Sequence, residues 1–141
     1  MAIYVLDTTT FTHLYRKHDK LRDRVRAASD AQHVLAATTV SVEELIGGWL
    51  GRLHRARTSP EQARIEEALA DTTMMLGGFH IFPATELALD RFDRLVKLKL
   101  NVGRADLKIA AVALGIGATV VTDNLRDFGR VPGLAVEDWL A

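Results

Sequence analysis

The chain has 141 residues, equal numbers of acidic and basic side chains, a formal net charge of zero and no cysteine. This length predicts one domain, residues 1–141, with a buried core, and the absence of cysteine excludes disulfides, thiolate metal sites and a cysteine nucleophile. No apolar run is long enough to span a bilayer, and the first run lacks the basic segment and the length of a signal peptide. We therefore expect a cytoplasmic protein without membrane attachment.

Short apolar runs rich in β-branched residues predict strands that alternate with helical segments along the chain. These runs cover residues 2–6, 33–37, 79–82 and 118–122, with a short edge strand at 134–136. Crossovers between parallel strands are right-handed and place helices on both faces of the sheet. The alternation predicts a three-layer α/β/α domain with a mainly parallel sheet of four or five strands.

Apolar spacing and cap residues predict the helices between these runs. The predicted segments are two short helices near 11–15 and 21–28, a long helix at about 40–57, and further helices at 59–76, from 85 and at 106–114. Ser59 is expected to cap its helix, with Gln62 placed three residues later as in a capping box. Gly115 is expected to close the helix at 106–114, and residues 123–128 are expected to form a polar turn.

Acidic residues recur where predicted strands end or helices begin. Asp7 follows the first strand, Asp123 and Asp127 follow the fourth, Glu44 lies in the helix after the second, and Asp106 opens a buried helix. Any one of these acids could simply cap a helix. Because the carboxyl ends of neighbouring parallel strands share one edge of a sheet, however, the acids can converge. Several carboxylates in one crevice require a cation, so the pattern predicts Mg²⁺ or Mn²⁺ with oxygen ligands, able to activate water against a phosphodiester.

Four segments carry a resemblance to a known family. They are Leu6-Asp7-Thr8, Ser41-Val42-Glu43-Glu44-Leu45 with Gly48, Gly103-Arg104-Ala105-Asp106-Leu107-Lys108-Ile109-Ala110-Ala111, and Thr122-Asp123-Asn124-Leu125-Arg126-Asp127-Phe128. In this order, over essentially the whole chain, they resemble the PIN domain, and more narrowly the VapC-type toxins of bacterial toxin–antitoxin pairs. The third and fourth segments together are fairly specific for this family, whereas any single segment is weak evidence for it.

The resemblance implies metal-binding and catalytic roles for the matching acids Asp7, Glu44 and Asp106. The fourth acidic position is ambiguous, because some family members carry Asp where this chain has Asn124. We assign this position to Asp127, keep Asn124 as a contact to metal-bound water or to substrate, and note Asp123 as an extra acid. This departure puts a second metal ion in doubt, while Asp7 and Asp106 would still hold the first.

Other polar and aromatic residues near the predicted site are expected to support it. The hydroxyls of Thr8 and Ser41 are expected to orient a carboxylate or water, and Thr122 belongs to the same supporting set. Three roles stay open for Arg104: binding an RNA phosphate, binding an antitoxin or pairing with an acid. Trp49 could stack on a base, but its place on an apolar helical stripe favours the core or a dimer interface.

By resemblance, the expected function is that of a Mg²⁺-dependent endoribonuclease and toxin. Water activated by the metal would attack the phosphorus and leave a 5′-phosphate and a 3′-hydroxyl. The substrate would be tRNA or other structured RNA, and the protein would form a homodimer inhibited by a cognate antitoxin. Basic side chains between residues 16 and 26 and between 52 and 57 could contact phosphates, or could simply be solvated helix faces.

Two alternative functions remain open at this point. A PIN fold that only binds RNA or a partner would agree with Asn124 at the fourth acidic position. A strand ending in Asp-Thr-Thr-Thr is also similar to haloacid-dehalogenase phosphatases, in which Asp7 would be the nucleophile. That alternative needs a second Asp where Thr9 stands, and a downstream lysine that is not convincingly placed.

Overall fold

A computed structural model describes the whole chain, residues 1–141, and its centre is a sheet of five parallel strands. The strands are β1 (Ile3–Leu6), β2 (Val34–Thr38), β3 (His80–Phe82), β4 (Thr119–Val121) and β5 (Ala135–Glu137). Their order across the sheet is β3-β2-β1-β4-β5, and every neighbouring pair is parallel. The first strand of the chain is therefore the central strand of the sheet.

Seven helices connect the strands and cover the sheet. They are α1 (Thr8–Tyr15), α2 (Asp19–Asp30), α3 (Thr39–Arg55), α4 (Ser59–Gly77), α5 (Glu86–Lys97), α6 (Arg104–Ile116) and α7 (Leu125–Phe128). The three-layer α/β/α architecture with a parallel sheet is thus confirmed. None of the helices is long and apolar enough to cross a membrane.

The alternating side chains of β1 join two separate cores, one on each face of the sheet. Val5 packs in a cluster with Phe92 of α5 and Ile109 of α6. Leu6 faces the other way and belongs to a cluster with Phe11 of α1 and Leu21 of α2. Because both faces of the sheet are covered, β1 is apolar throughout. Asp7, the residue that follows β1, is therefore also buried.

Several predicted helix ends differ from the structure by one to three residues, and two of them concern the predicted cap residues. Thr58, rather than Ser59, caps α4, because its hydroxyl accepts a hydrogen bond from the Glu61 backbone N–H at 3.3 Å. Helix α6 does not stop at Gly115. It continues to Ile116 and ends at Gly117, whose left-handed backbone (φ +68°) is available to glycine at no steric cost.

The predicted polar turn at 123–128 is also wrong, because it contains the short helix α7. Asn124 caps this helix by accepting a hydrogen bond from the Asp127 backbone N–H at 3.3 Å. Phe128 at its end is fully buried and belongs to the larger core cluster. The cap and the apolar anchor together convert the segment into one helical turn, which presents Asp127 at the carboxyl edge of the sheet.

Candidate functional site

Asp7 occupies the junction between β1 and α1 and caps the helix. Its backbone is extended, and its Oδ1 accepts a hydrogen bond from the Thr10 N–H at 2.9 Å. Its Oδ2 accepts a second bond from the Thr122 hydroxyl at 2.7 Å. Burial raises the pKa of the Asp7 carboxyl, although the bonds from Thr10 and Thr122 act in the opposite direction. The side chain is thus held in one orientation at a site where its charge is costly.

Thr122 reaches Asp7 because β4 lies directly beside β1. The pairing of Leu6 with Val121 brings the residues after both strands together. The Thr122 hydroxyl, which is fully buried, also accepts a hydrogen bond from the Asn124 backbone N–H at 2.9 Å. Its proton is therefore directed to Asp7, and the predicted supporting role of Thr122 has a defined geometry.

Glu44 projects from α3 and accepts a hydrogen bond from one hydroxyl group, which is itself in contact with a second. The Thr8 hydroxyl donates to Glu44 Oε1 at 2.6 Å and lies 2.9 Å from the Ser41 hydroxyl. Thr8 has one hydroxyl proton, which it gives to Glu44, so Ser41 is the donor in the contact between the two hydroxyls. Thr8 is therefore bonded to Glu44 directly, and Ser41 is connected to Glu44 only through Thr8.

Asp106 lies in the first turn of α6, and its environment disfavours its charge. Burial and then the charges of Asp7, Glu44 and Asp127 raise its pKa from 3.8 to about 6. Neither arginine nor lysine forms an ion pair with it. The four acids assigned from the sequence therefore influence one another across one edge of the sheet.

Asp127 is in the opposite situation. Its Oδ2 accepts a hydrogen bond from the Asn124 side-chain amide at 3.0 Å, and its Oδ1 lies 3.3 Å from Arg130 and 3.4 Å from Arg126. The bond from Asn124, followed by the charges of Arg126 and Arg130, holds the pKa of Asp127 below its ordinary value. Asn124 thus contacts the fourth acid directly.

Two charged residues near this edge point to other partners. Asp123 lies 3.3 Å from the His13 imidazole, although its charge also raises the pKa of Asp7 slightly. The Arg104 guanidinium lies over the Phe92 ring at 5.0 Å from its centroid and makes no ion pair with an acid. Of the three roles considered for Arg104, pairing with an acid is therefore not observed.

Arg130 is a part of this edge that was not predicted from the sequence. It lies beyond the end of α7, and its spacing of three residues from Asp127 was the available signal. The same guanidinium also donates to the backbone oxygen of Asn101 at 3.0 Å. That second contact joins two distant loops, and no local pattern reveals it.

The donor chemistry of this edge fits a hard divalent cation. Asp7, Glu44 and Asp106 supply carboxylate oxygens, and a cation would offset both the burial and the repulsion that raise the pKa of Asp106. No three acidic or histidine side chains are, however, gathered closely enough to form a ready-made cage. Mg²⁺ keeps several waters and takes few protein ligands, so one or two of these carboxylates would be enough to hold it.

The edge of the sheet that carries Asp7, Glu44, Asp106 and Asp127 is called the acidic edge below. Comparison with known sequences identifies the class of protein that has this fold and such an edge. The PIN domain family model matches residues 4–134, and the chain belongs to this family. It is also similar to Ribonuclease VapC1 of Haemophilus influenzae (strain R2866), with 27% identity over 97% of this chain and 98% of that protein. A shorter segment, 27% of this chain, is 53% identical to 29% of the tRNA(fMet)-specific endonuclease VapC of Salmonella typhimurium.

Solved structures show the same fold. One is VapBC2 from Rickettsia felis bound to a DNA fragment from its promoter, with a TM-score of 0.80, 23% identity and coverage of 97% of this chain and 98% of that chain. Another is DNA-bound VapBC from Salmonella typhimurium, with a TM-score of 0.78, 26% identity and 99% coverage of both chains. The resemblance to VapC-type PIN domains is therefore confirmed over the whole chain.

Proposed function

We propose that this protein is a Mg²⁺-dependent endoribonuclease and the toxin of a toxin–antitoxin pair. The observation that supports this most is the edge at which burial, and then three neighbouring carboxylates, raise the pKa of Asp106 to about 6. Membership of the PIN domain family and similarity to relatives named as VapC ribonucleases support the same activity.

Asp7, Glu44 and Asp106 would hold the ion, with Mn²⁺ as a substitute and Asp127 as the fourth carboxylate. A bound divalent ion supplies a Lewis acid for an RNA phosphate and lowers the pKa of water. The chain supplies the orientation, because Thr122 holds Asp7 while Thr8 holds Glu44. The ion pairs of Asp127 with Arg126 and Arg130 would compete with the ion for this carboxylate.

The proposed reaction is hydrolysis of RNA to 5′-phosphate and 3′-hydroxyl ends. One relative is named as specific for tRNA(fMet), which supports tRNA or another structured RNA as substrate. Similar structures are VapBC complexes, which supports a cognate antitoxin as partner. We further propose a cytoplasmic homodimer, in keeping with the family resemblance.

Incubation of the purified, antitoxin-free protein with total RNA tests this proposal. We expect discrete fragments in Mg²⁺, none in EDTA and none from the Asp106→Asn variant. The fragment ends identify the RNA and the cleaved bond. Absence of cleavage with both Mg²⁺ and Mn²⁺ would contradict the proposal.

The binding-only alternative has one observation in its favour, since the fourth carboxylate already has cations from the chain itself. It predicts that RNA binds without being cleaved under any metal condition. The phosphatase alternative predicts a phosphoenzyme on Asp7, and the PIN family match gives it no support.

A further inference from the structure

A groove between α1, α3 and α4 adjoins the acidic edge. It has a volume of about 260 Å³, and we call it the Trp49 groove after its main aromatic residue. Its lining includes Tyr15, Arg16, Gly48, Trp49 and Arg52. Glu44 also lines it, so an occupant of the groove lies directly beside the carboxylate that Thr8 orients.

The aromatic wall of the groove is rigid and presents a ring face. The Trp49 indole N–H donates to the hydroxyl of Thr72 at 2.9 Å, and Thr72 is buried. This bond fixes the ring and removes its only polar hydrogen from the groove. The Tyr15 ring lies 6.0 Å from the indole centroid, tilted by 53°. An ordered, half-buried pair of aromatic rings is the kind of surface on which an unpaired base stacks.

The charges in the groove favour a nucleic acid over a peptide. The Arg52 guanidinium lies over the Trp49 ring at 4.9 Å from its centroid, and the side chain is exposed, so a base that stacks on the same face would displace the guanidinium towards solvent and the neighbouring phosphate. Arg16 ends α1 and is exposed. Neither arginine forms an ion pair with a carboxylate of this chain, so both charges are available to phosphates.

We propose that the Trp49 groove binds one unpaired base of the substrate RNA, next to the phosphate that is cleaved. Trp49 and Tyr15 provide the stacking surface, while Arg16 and Arg52 bind the phosphates flanking that base. The groove therefore contributes to the choice of sequence or loop that is cut. This inference rests on the proposed ribonuclease function, and it assigns the substrate contact that the acidic edge alone does not provide.

Two neighbouring glycines of α3 offer a matched pair of variants. Glu44, Gly48 and Arg52 recur every four residues and therefore share one face of the helix, whereas Gly47 does not line the groove. A Cβ added at either glycine meets no atom within 4 Å. Gly48→Leu thus adds an apolar side chain to the groove from a Cβ that has free space, and Gly47→Leu is the control of equal composition.

The binding test uses tryptophan fluorescence with short oligouridylate and oligoadenylate in EDTA. The protein carries Asp106→Asn, which prevents cleavage and lowers the repulsion of RNA. We expect quenching from Trp49, assigned by its absence in Trp49→Phe, because Trp139 is only 2% exposed. Gly48→Leu should weaken binding about tenfold, the effect of losing one stacked base, while Gly47→Leu should bind normally. Circular dichroism confirms that each variant is folded.

A salt titration of the same complex tests the phosphate contacts. Log affinity falls as log salt rises. Replacing Arg16 by Gln should make this fall less steep by about 0.7, the value for one phosphate contact with a single strand. Lys97→Gln, an exposed cation on α5, should leave the slope unchanged.

Normal binding by Gly48→Leu, without any fluorescence change in Trp49, would overturn the assignment to RNA. If the same variant also lost a co-purifying partner protein, the groove would belong to that partner instead. The cleavage assay separates this failure from failure of the proposed function. Cleavage that Gly48→Leu leaves intact would reject the groove alone, whereas Trp49 quenching without any Mg²⁺-dependent cleavage would support the groove and reject the ribonuclease.

Discussion

Two parts of the acidic edge carry the same chemical group in opposite electrostatic states. The inner carboxylates are Asp7, which is buried, and Asp106, which is partly buried, and both have raised pKa values. The outer carboxylate, Asp127, lies on α7 between Arg126 and Arg130 and has a lowered pKa. The inner pair has no counter-charge from the chain, while the outer acid has two.

This difference indicates which carboxylates should bind a metal ion most favourably. A carboxylate that is disfavoured in its charged form releases that cost when a cation binds, whereas one that already has arginine partners must first give them up. We therefore expect the inner carboxylates to dominate metal binding, and Asp127 to tune it. The following variants test this contrast, beginning with the one that should have the largest effect.

Asp106→Asn should separate activity from stability. Removing the carboxylate should lower RNA cleavage by about 100-fold or more, as for loss of a main electrostatic group. The neutral amide is not repelled by the other acids, and its burial costs less than the burial of a charge. The free energy of unfolding should therefore rise by about 1 kcal/mol near neutral pH, after allowance for the partial exposure of the group. Cleavage rates and urea denaturation measure the two effects.

The control is Asp93→Asn, which removes an exposed acid on α5 and should change neither quantity. If Asp106→Asn were instead less stable, the charged form of Asp106 would be favoured by its surroundings, which would contradict the raised pKa.

Thr122→Val should weaken the inner pair without removing a carboxylate. Loss of the hydroxyl leaves Asp7 Oδ2 without its donor, which should reduce the apparent Mg²⁺ affinity about 10-fold to 100-fold. Cleavage measured against Mg²⁺ concentration gives this affinity. Thr122→Ser keeps the donor and should restore most of the activity, and equal losses in both variants would argue against the hydrogen bond as the cause.

The metal-free protein should lose stability as the pH rises through the range in which Asp106 ionises. Its pKa is about 6 in the folded protein and 3.8 ordinarily, so the folded state holds a proton that the unfolded chain releases. The resulting destabilisation is absent below the ordinary value and fully present above the folded one. Thermal denaturation across this range should show the fall, and Asp106→Asn should flatten it.

Mg²⁺ should reverse that loss only where the inner carboxylates are ionised. At a concentration tenfold above its dissociation constant, the ion adds about 1.4 kcal/mol to the stability of the folded state. We expect the thermal midpoint to rise above the pKa of Asp106 and to stay unchanged well below it. An equal rise at both pH values would indicate a site away from these acids.

Asp127→Asn should have the smallest effect on activity, less than about tenfold, because exposed ion pairs contribute little. It should make the protein slightly less stable, and added salt should reduce the difference. Cleavage and denaturation at two salt concentrations measure this. A loss as large as that of Asp106→Asn would show that Asp127 is an equal metal ligand and would remove the distinction between inner and outer acids.

The sequence allowed the inner part of the edge to be predicted better than the outer part. Asp7 follows an apolar strand, and Asp106 lies in the first turn of an apolar helix, so local patterns placed both at the edge of the sheet. Asp127 depends on a helical turn created by the cap of Asn124 and the burial of Phe128. A turn of this size has no periodicity that a sequence pattern can reveal.

The Trp49 groove could not be predicted, for a related reason. The spacing of Trp49 along α3 indicated an apolar face, which agrees with its partial burial. Its bond to Thr72 and its position beside Tyr15 depend on how three helices pack. Such contacts are set by tertiary structure rather than by spacing within one helix.

The hydrogen bond between Thr122 and Asp7 joins groups separated by 115 residues of chain. On a ribosome, the central strand emerges first, and its partner follows roughly 6 to 23 s later at about 5–20 residues per second. Until then Asp7 lacks both its hydroxyl donor and the neighbouring strand. The site is therefore incomplete until synthesis is nearly finished, and a chain that ends before Thr122 lacks the hydroxyl that orients Asp7.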